Sequence, residues 1–334
     1  MEARMNTPTV YIGIVSYKSA TLLPACLAAL CAQTYAHTRI IIWDNAGENS
    51  VRMLAKRYRV RYIRSKKNVG YGSGHNGILG AITMHDTDYY LTVNPDALLE
   101  KGYVASLVRS ARVHKAGWAT GKLYKNIPAK ELYSVGHAMF RDGYAFNIGY
   151  GVVDHGQFDV PREIFGAPGA AALYSARFVR IVARGDIFFD PLLFMYYEDI
   201  DIDWRGQLNG FSCWYEPNAV AIHPGGSFPR NLEGQVLVNR FVTVVKNATL
   251  RDLVLYNMPR IVLHMLARLV VTPRVGIGMI VLFSRLCGRA IAARENRSNR
   301  HMKHWFLRAG LEHANLPRFG KQRIQAFIER KTHD

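Results

Sequence analysis

The first hundred residues alternate two patterns. Short apolar runs are separated by stretches whose apolar positions recur at helical spacing. Val10-Tyr11-Ile12-Gly13-Ile14-Val15-Ser16 is apolar almost throughout and ends in polar residues, as a strand buried on both faces does. Residues 22–32 carry helical periodicity. Residues 39–44 read as a second strand and run into Asp44-Asn45-Ala46-Gly47, a series of turn formers. Residues 51–58 read as helix, 60–64 as a third strand, 72–84 as helix and 89–93 as a fourth strand. This alternation predicts an α/β fold, with a mostly parallel sheet covered by helices on both faces. Ligands of such sheets bind beyond the carboxyl ends of the strands. Three polar clusters follow strand ends directly: Ser16-Tyr17, Asp44-Asn45 and Asn94-Pro95-Asp96. The predicted fold gathers them along one edge.

The pattern weakens after residue 118. Residues 118–174 are irregular, rich in Gly and Tyr, and read as short strands and loops. Residues 166–172 are small, which suits close approach of backbone to a ligand. A helix is expected over 198–208, ended by Asn209-Gly210. Short strands follow at 214–216 and 220–223. Beyond Gly226 the chain reads as helical, with breaks at Pro259, Pro273 and Pro317. The expected division is a nucleotide-binding and catalytic domain over 1–230 and a basic amphipathic helical region over 231–334.

A chain of 334 residues with 49% hydrophobic composition supports a large core. Net charge changes the picture more. The chain carries +18, and residues 251–334 hold sixteen Lys and Arg against five Asp and Glu, a net +11 in the tail alone. Within 261–293, Arg268, Arg274, Arg285 and Arg289 are set among Leu, Val, Ile, Met and Phe. Such helices lie on an anionic membrane surface, or pack on a catalytic domain with a basic outer face; both readings stand. The longest charge-free stretch there, 275–284, is shorter than the roughly 20 residues of a spanning helix. The first eight residues include Glu2, Arg4 and Pro8 and lack the apolar run of a signal peptide. Cys26, Cys31, Cys213 and Cys287 have no zinc-site spacing and are expected to be reduced and buried. The location expected is cytoplasmic, peripheral on the inner face of the plasma membrane. A pI of 9.9 raises nucleic-acid binding as a rival class. No zinc-finger, RRM or KH signature accompanies it, and the charge lies in apolar-rich helices, so no nucleic-acid partner is expected.

Four carboxylates fall within six residues at Tyr197-Glu198-Asp199-Ile200-Asp201-Ile202-Asp203-Trp204-Arg205, in a chain with 25 acidic residues altogether. Like charges at this spacing repel. Their grouping implies a positive partner, a metal, or a proton to be moved. The apolar residues threaded through the run argue against a solvated helix face. Asp201 and Arg205 are spaced to pair on one face.

The order of motifs resembles a known family. Val15-Ser16-Tyr17 is followed by Trp43-Asp44-Asn45, then by the Gly-rich stretch Asn68-Val69-Gly70-Tyr71-Gly72-Ser73-Gly74-His75-Asn76-Gly77. Asn94-Pro95-Asp96, Glu198-Asp199-Ile200-Asp201 and Ala221-Ile222-His223 complete the series. It resembles the inverting family 2 glycosyltransferases of the GT-A fold, and is similar to their bacterial rhamnosyltransferase branch, over about residues 9 to 230. The resemblance implies that Asp199 is the general base, with Glu198 as the alternative. It implies that Asp96 and His223 hold Mg²⁺ or Mn²⁺. Asn94 stands where the family usually has Asp, and an amide oxygen is a weaker, neutral ligand. Asp44 and Asn45, with Ser16 or Tyr17, would meet the nucleoside; Asn68, Gly70 and Asn76 would lie near the nucleotide. The pair Asp201–Arg205 would be structural or a clamp near the diphosphate. Plainer readings compete: a turn at Asn94–Asp96, a helix cap at Asp44, a structural histidine at His223. The implied reaction moves L-rhamnose from a dTDP donor to a polyprenyl-diphosphate-linked sugar or growing surface polysaccharide. A UDP-sugar donor is the alternative, and an inactive sugar-nucleotide sensor is a further class, against which Asp96 and Asp199 speak.

Overall fold

Strand β1 (Val10–Ser16) pairs in parallel with β2 (Thr38–Asp44) on one side and β4 (Tyr89–Val93) on the other, and β3 (Arg61–Arg64) extends β2 in parallel. The computed structural model describes residues 7–225, 232–294, 302 and 305–307. Helices α1 (Leu23–Cys31), α2 (Asn49–Arg57) and α3 (Tyr71–Leu79) connect these strands. The four strands and three helices predicted before residue 94 are all present, although α3 stops at Leu79, five residues short of its expected end, and the short strand at Leu98–Leu99 was not expected.

The second half of the sheet departs from simple parallel winding. After β5 (Leu98–Leu99) and α4 (Tyr103–Val113) comes β6 (Trp118–Asn126), a nine-residue strand that is buried over most of its length. Next to it β11 (Ala171–Ser175) runs antiparallel to both β4 and β6. The full order is β10-β12-β6-β11-β4-β1-β2-β3, with β10 (Arg162–Ile164) antiparallel and β6 parallel to β12 (Cys213–Ile222). Strands β7 (Glu131–Ser134) and β5 pair with β6 and β12. A separate small sheet joins β8 (His137–Phe140), β9 (Ala145–Asn147) and β13 (Phe306–Leu307). The expectation of irregular structure over 118–174 is thus corrected at both ends. Ala171-Ala172 is central sheet, not a flexible loop. Strands β6 (Trp118-Ala119-Thr120-Gly121-Lys122) and β11 (Ala171-Ala172-Leu173-Tyr174-Ser175) hold small and polar residues in place of the branched apolar run that marks β1. Strand β12 is one element, not two. Its register shifts between Glu216 and Val220, where Pro217 offers no amide proton to the ladder.

Helix α6 (Glu198–Leu208) carries the acidic run, and nine of its eleven residues are buried. Ile202 packs with α3, α5 (Ala176–Val182) and the sheet, while Ile200 and Trp204 face the C-terminal helices. That double burial is why apolar residues thread the carboxylates. The C-terminal helices are α7 (Glu233–Asn247), a single turn α8 (Leu250–Asp252), α9 (Met258–Val271) and α10 (Pro273–Ala292). Pro259 does not break the path. A π-helical turn at Leu253–Asn257 precedes it and absorbs the missing hydrogen bond. The break at Pro273 is present, between α9 and α10; the one expected at Pro317, and most of 295–334, lie outside the described residues.

The runs Leu250–Val271 and Pro273–Ala292 are each long and apolar enough to cross a bilayer by length and composition. Counting charge-free stretches missed them, because scattered arginines interrupt both. Ile261, Met265, Met279 and Ala290 pack inward in a cluster shared with α7. Leu255, Val262, Leu263, Leu266, Val270 and Val271 are exposed on the outer side. All four cysteines are free. Cys26 and Cys213 are buried as expected, but Cys31 is exposed and Cys287 half-buried.

Candidate active site

The antiparallel strand β11 brings the polar clusters together. Because β11 opposes β4, its start meets the end of β4. The Asn94 amide donates to the Ala170 carbonyl at 3.0 Å, and the next-door Gly169 amide donates to Asp199 Oδ2 at 3.1 Å. The Leu98–Ile222 pairing of β5 with β12 sets Asp96 beside His223. Asp96 Oδ1 lies 3.1 Å from His223 Nε2, and Asn94 Nδ2 lies 3.1 Å from the same nitrogen. Tyr133 meets the His223 ring edge-on, with centroids 4.3 Å apart. Asn94, Tyr71, Tyr133, His137, Glu198 and Asp199 line one cleft of about 340 Å³. A larger hollow of about 650 Å³ sits at the other end of β1–β3, among Tyr11, Arg39 and Arg61, and is lined by none of the predicted site residues.

The four carboxylates of α6 have four different environments. Asp199 is partly exposed to the cleft; Oδ2 accepts from Gly169 and Oδ1 from its neighbour Ile200. Glu198 is buried, and its Oε2 has no hydrogen-bond partner. Burial, then the charge of Asp199, pushes the Glu198 carboxyl up to about 8. Asp201 is fully buried between Arg205 Nε at 2.9 Å, Lys246 Nζ at 2.7 Å and Asn247 Nδ2 at 2.8 Å. Burial raises this acid, but the charges of Lys246 and Arg205 outweigh it and hold it well below the usual carboxylate range. Asp203 is fully buried: Oδ1 accepts from Trp118 Nε1 at 2.9 Å and from the Ala167 amide at 3.1 Å, and Oδ2 contacts His137 Nδ1 at 2.7 Å.

Of the two readings for Asp201 and Arg205, the structural one fits this geometry and the clamp does not. The guanidinium also donates to the carbonyls of Val182 and Phe188. Both side chains are spent inside the protein and line no part of the cleft. The loop before α6 is strained: Phe194, Tyr196 and Tyr197 all have left-handed φ, at 53°, 71° and 72°. Asn239 of α7 holds it, with Nδ2 at 2.7–2.9 Å from the carbonyls of Leu193, Met195 and Tyr196.

Several residues expected at the nucleotide are hydrogen-bonded within the loops. Asp44 is fully buried; Oδ1 accepts from the amides of Ala46 and Gly47, and Oδ2 from Tyr62. Asn45 is buried, donates to the Gly70 carbonyl and accepts from Trp43 and Val69. Asn76 clamps the Phe189 backbone, donating to its carbonyl at 2.7 Å and accepting from its amide at 2.9 Å. Asn68 accepts from the Gly70 amide. Ser16 is buried against Ser19. In this arrangement these groups shape the rim; a short polar side chain in a turn is spent first on its nearest backbone donors. Tyr17, beside them, is exposed. Gly70 is required by close approach: a Cβ there would fall 2.2 Å from the Phe194 carbonyl oxygen.

Asp96 and His223 fit a divalent cation. One hard oxygen and one imidazole nitrogen 3.1 Å apart match neighbouring ligands of an ion bound at about 2.1 Å. His223 Nδ1 is buried with no partner. Burial raises Asp96, but the hydrogen bond and charge of His223 overcome it and lower the acid. Among the described residues, no three His, Cys, Asp or Glu side chains form a metal-ligand group. Among those residues, the polar neutral group beside the pair is Asn94.

Sequence reasoning missed His137, Tyr71, Tyr133, Asn239 and Lys246. Tyr71 lies inside the Gly-rich stretch but was given no role there; the other four are lone polar residues in a strand or helix with no motif around them. The one available signal was Asp203, which the acidic run contains but to which no role was given.

Residues 11–180, half the chain, match the family model described as glycosyl transferase family 2. Rhamnosyltransferase WbbL of Escherichia coli (strain K12) is 26% identical over 225 residues, covering 64% of this chain and 83% of that protein. The structure of GalNAc-T7 with UDP, GalNAc and Mn²⁺ aligns at TM-score 0.57 and 14% identity, over 72% of this chain and 48% of that one. This chain thus spans about half the length of GalNAc-T7. S. aureus TarS 1–349 aligns at TM-score 0.51 and 13% identity, over 86% of this chain and 83% of that one. These structural likenesses establish the architecture expected from sequence, a GT-A sheet followed by C-terminal helices.

Proposed function

This chain belongs to glycosyl transferase family 2, and from that premise we propose that it moves a sugar, with inversion, from a nucleotide donor to a membrane-associated acceptor. The donor is dTDP-L-rhamnose, a choice supported by the likeness to a rhamnosyltransferase. The acceptor is a polyprenyl-diphosphate-linked sugar or a growing surface polysaccharide. One observation carries the reading. Asp199 and Asn94, whose amide touches His223, line the same cleft.

Asp199 is the general base, and takes the proton of the acceptor hydroxyl as that oxygen bonds to the anomeric carbon. The bond from that carbon to the diphosphate breaks on the opposite face, and its electron pair leaves with the nucleotide. Glu198 suits the role less: it is buried, and its raised pKa keeps it protonated at neutral pH. Asp96 and His223 would hold Mg²⁺ or Mn²⁺, with the Asn94 amide as a weaker donor. A bound cation offsets the charge of the leaving diphosphate. The Mn²⁺ and UDP in the GalNAc-T7 structure support a divalent cation beside the nucleotide.

The outer face of α9 and α10 meets the cytoplasmic leaflet of the plasma membrane. Supporting this, exposed Leu263, Leu266 and Val270 stand near exposed Arg260 and Arg274. The helices lie in the plane of the interface, because their inner sides pack on α7.

Thermal-shift measurements with dTDP-L-rhamnose and with UDP-sugars, each with and without Mn²⁺, test the donor and the ion. A shift with dTDP-L-rhamnose that grows with Mn²⁺ and shrinks in His223→Ala is expected. A shift with UDP-sugars alone moves the donor to that class, and no shift with any nucleotide sugar sinks the reading. Asp199→Asn keeps the shift while turnover falls roughly 10²–10⁴-fold.

A further inference from the structure

Asp199 has a neighbour on the side away from solvent. His137, at the start of β8, is buried and lines the cleft beside it. Its Nδ1 sits 2.7 Å from Asp203 Oδ2, and its Nε2 sits 3.9 Å from Asp199 Oδ2. One imidazole therefore lies between two carboxylates that are four residues apart on the same helix face. The ring is anchored independently at its backbone, where the His137 amide donates to the Gly166 carbonyl at 2.8 Å. The protein makes room for this arrangement. A Cβ at Gly166 would fall 1.9 Å from Asp203 Oδ2, so only glycine leaves space for that carboxylate.

Asp203 is held independently of His137. Trp118 and the Ala167 amide both donate to Oδ1, which leaves Oδ2 free to face the imidazole. A carboxylate fixed in this way selects the ring orientation, so Nε2 points to the cleft.

We propose that His137, oriented by Asp203, is a positioning residue for the general base: its buried imidazole holds the Asp199 carboxylate at the cleft wall and balances its charge during proton transfer. This rests on the reading of Asp199 as base. The reacting proton passes from the acceptor hydroxyl to Asp199, and His137 touches neither sugar. Titratable groups around the ring are Asp199, Asp203 and Glu198 on α6, Tyr133 on β7 and Tyr174 and Cys213 beside Asp203. Burial lowers the histidine, but the bond to Asp203 and the charges of Asp199 and Asp203 prevail and raise it above its ordinary value. The same burial pushes Asp203 up to about 6 against the pull of His137.

The test is nitrogen-15 NMR of the full chain labelled at histidine, titrated without any substrate. His137→Gln identifies the signal, and His137→Asn replaces it if the first variant does not fold. The expected midpoint lies above the ordinary histidine range. In Asp199→Asn it falls by roughly one to three pH units, and in Asp203→Asn by at least as much. A midpoint that Asp199→Asn leaves unmoved overturns the proposal, as does a ring that titrates like free imidazole. The base reading fails separately: Asp199→Asn that still turns over dTDP-L-rhamnose at the wild-type rate removes the premise, whatever the histidine does.

Discussion

Lys246 Nζ lies 2.7 Å from Asp201 Oδ1, and neither side chain is exposed. The pair joins α7 to the acidic helix α6 in the interior. Lys246 also pairs with Asp190, which caps the turn before the strained loop. A boundary at residue 230 would cut the chain in front of α7. Yet α7 supplies Lys246 and Asn247 to Asp201 and Asn239 to the loop that enters α6. The first C-terminal helix is therefore a wall of the catalytic fold. The exposed apolar face proposed for the membrane begins with α9.

Lys246→Met should destabilise the protein by about 3–5 kcal/mol, because it leaves two carboxylates without their buried cation. Urea unfolding measures this. The double variant with Asp201→Asn should recover part of the loss, since one of the two carboxylate charges left behind is then gone. A loss below about 1 kcal/mol for the single variant would mean that water reaches the site.

Glu198 gives a pH dependence of defined sign. Its unfolded carboxyl ionises near 4.5 and its folded one near 8. Between those values the unfolded chain binds fewer protons, so this residue makes stability fall as pH rises. Glu198→Gln removes that slope. Thermal unfolding of the two proteins between about pH 5 and pH 8 should show the variant gaining on the wild type as pH increases. Parallel curves would show that the Glu198 carboxyl ionises alike in both states.

Gly166→Ala should cost about 1–3 kcal/mol or more, since the new methyl group overlaps the Asp203 carboxylate and must displace it from His137. Gly210→Ala is the control. Gly210 has φ +75° with nothing near its would-be Cβ, so its cost is conformational alone, about 1 kcal/mol. Denaturant unfolding that ranks Gly210→Ala as the worse of the two would contradict the crowding at Asp203.

The double change Leu263→Glu and Leu266→Glu alters two side chains that are 68% and 53% exposed. Folding stability should change by less than about 0.5 kcal/mol. Binding to vesicles that contain anionic phospholipid, followed by co-sedimentation, should fall at least roughly tenfold. Unchanged vesicle binding would assign the membrane contact elsewhere.

Local patterning was enough to read the strands and helices of the first hundred residues, the edge on which their polar ends collect, and the helix that holds the carboxylates. Each of these is written in neighbouring residues: an apolar run, a turn former, a helical spacing. Strands β6 and β11 were hidden because small and polar residues replace the branched apolar run that marks β1, and a run such as Ala171-Ala172 looks like a loop. The partners of the carboxylates were hidden for another reason. His137 and Asp203 are 66 residues apart, and Lys246 and Asp201 are 45 apart. Which of four adjacent acids meets a cation, an imidazole or the cleft depends on where β11 and α7 are inserted. Sheet order and helix packing set that placement, because a side chain's charge state follows from what surrounds it in space, and no local spacing records those neighbours.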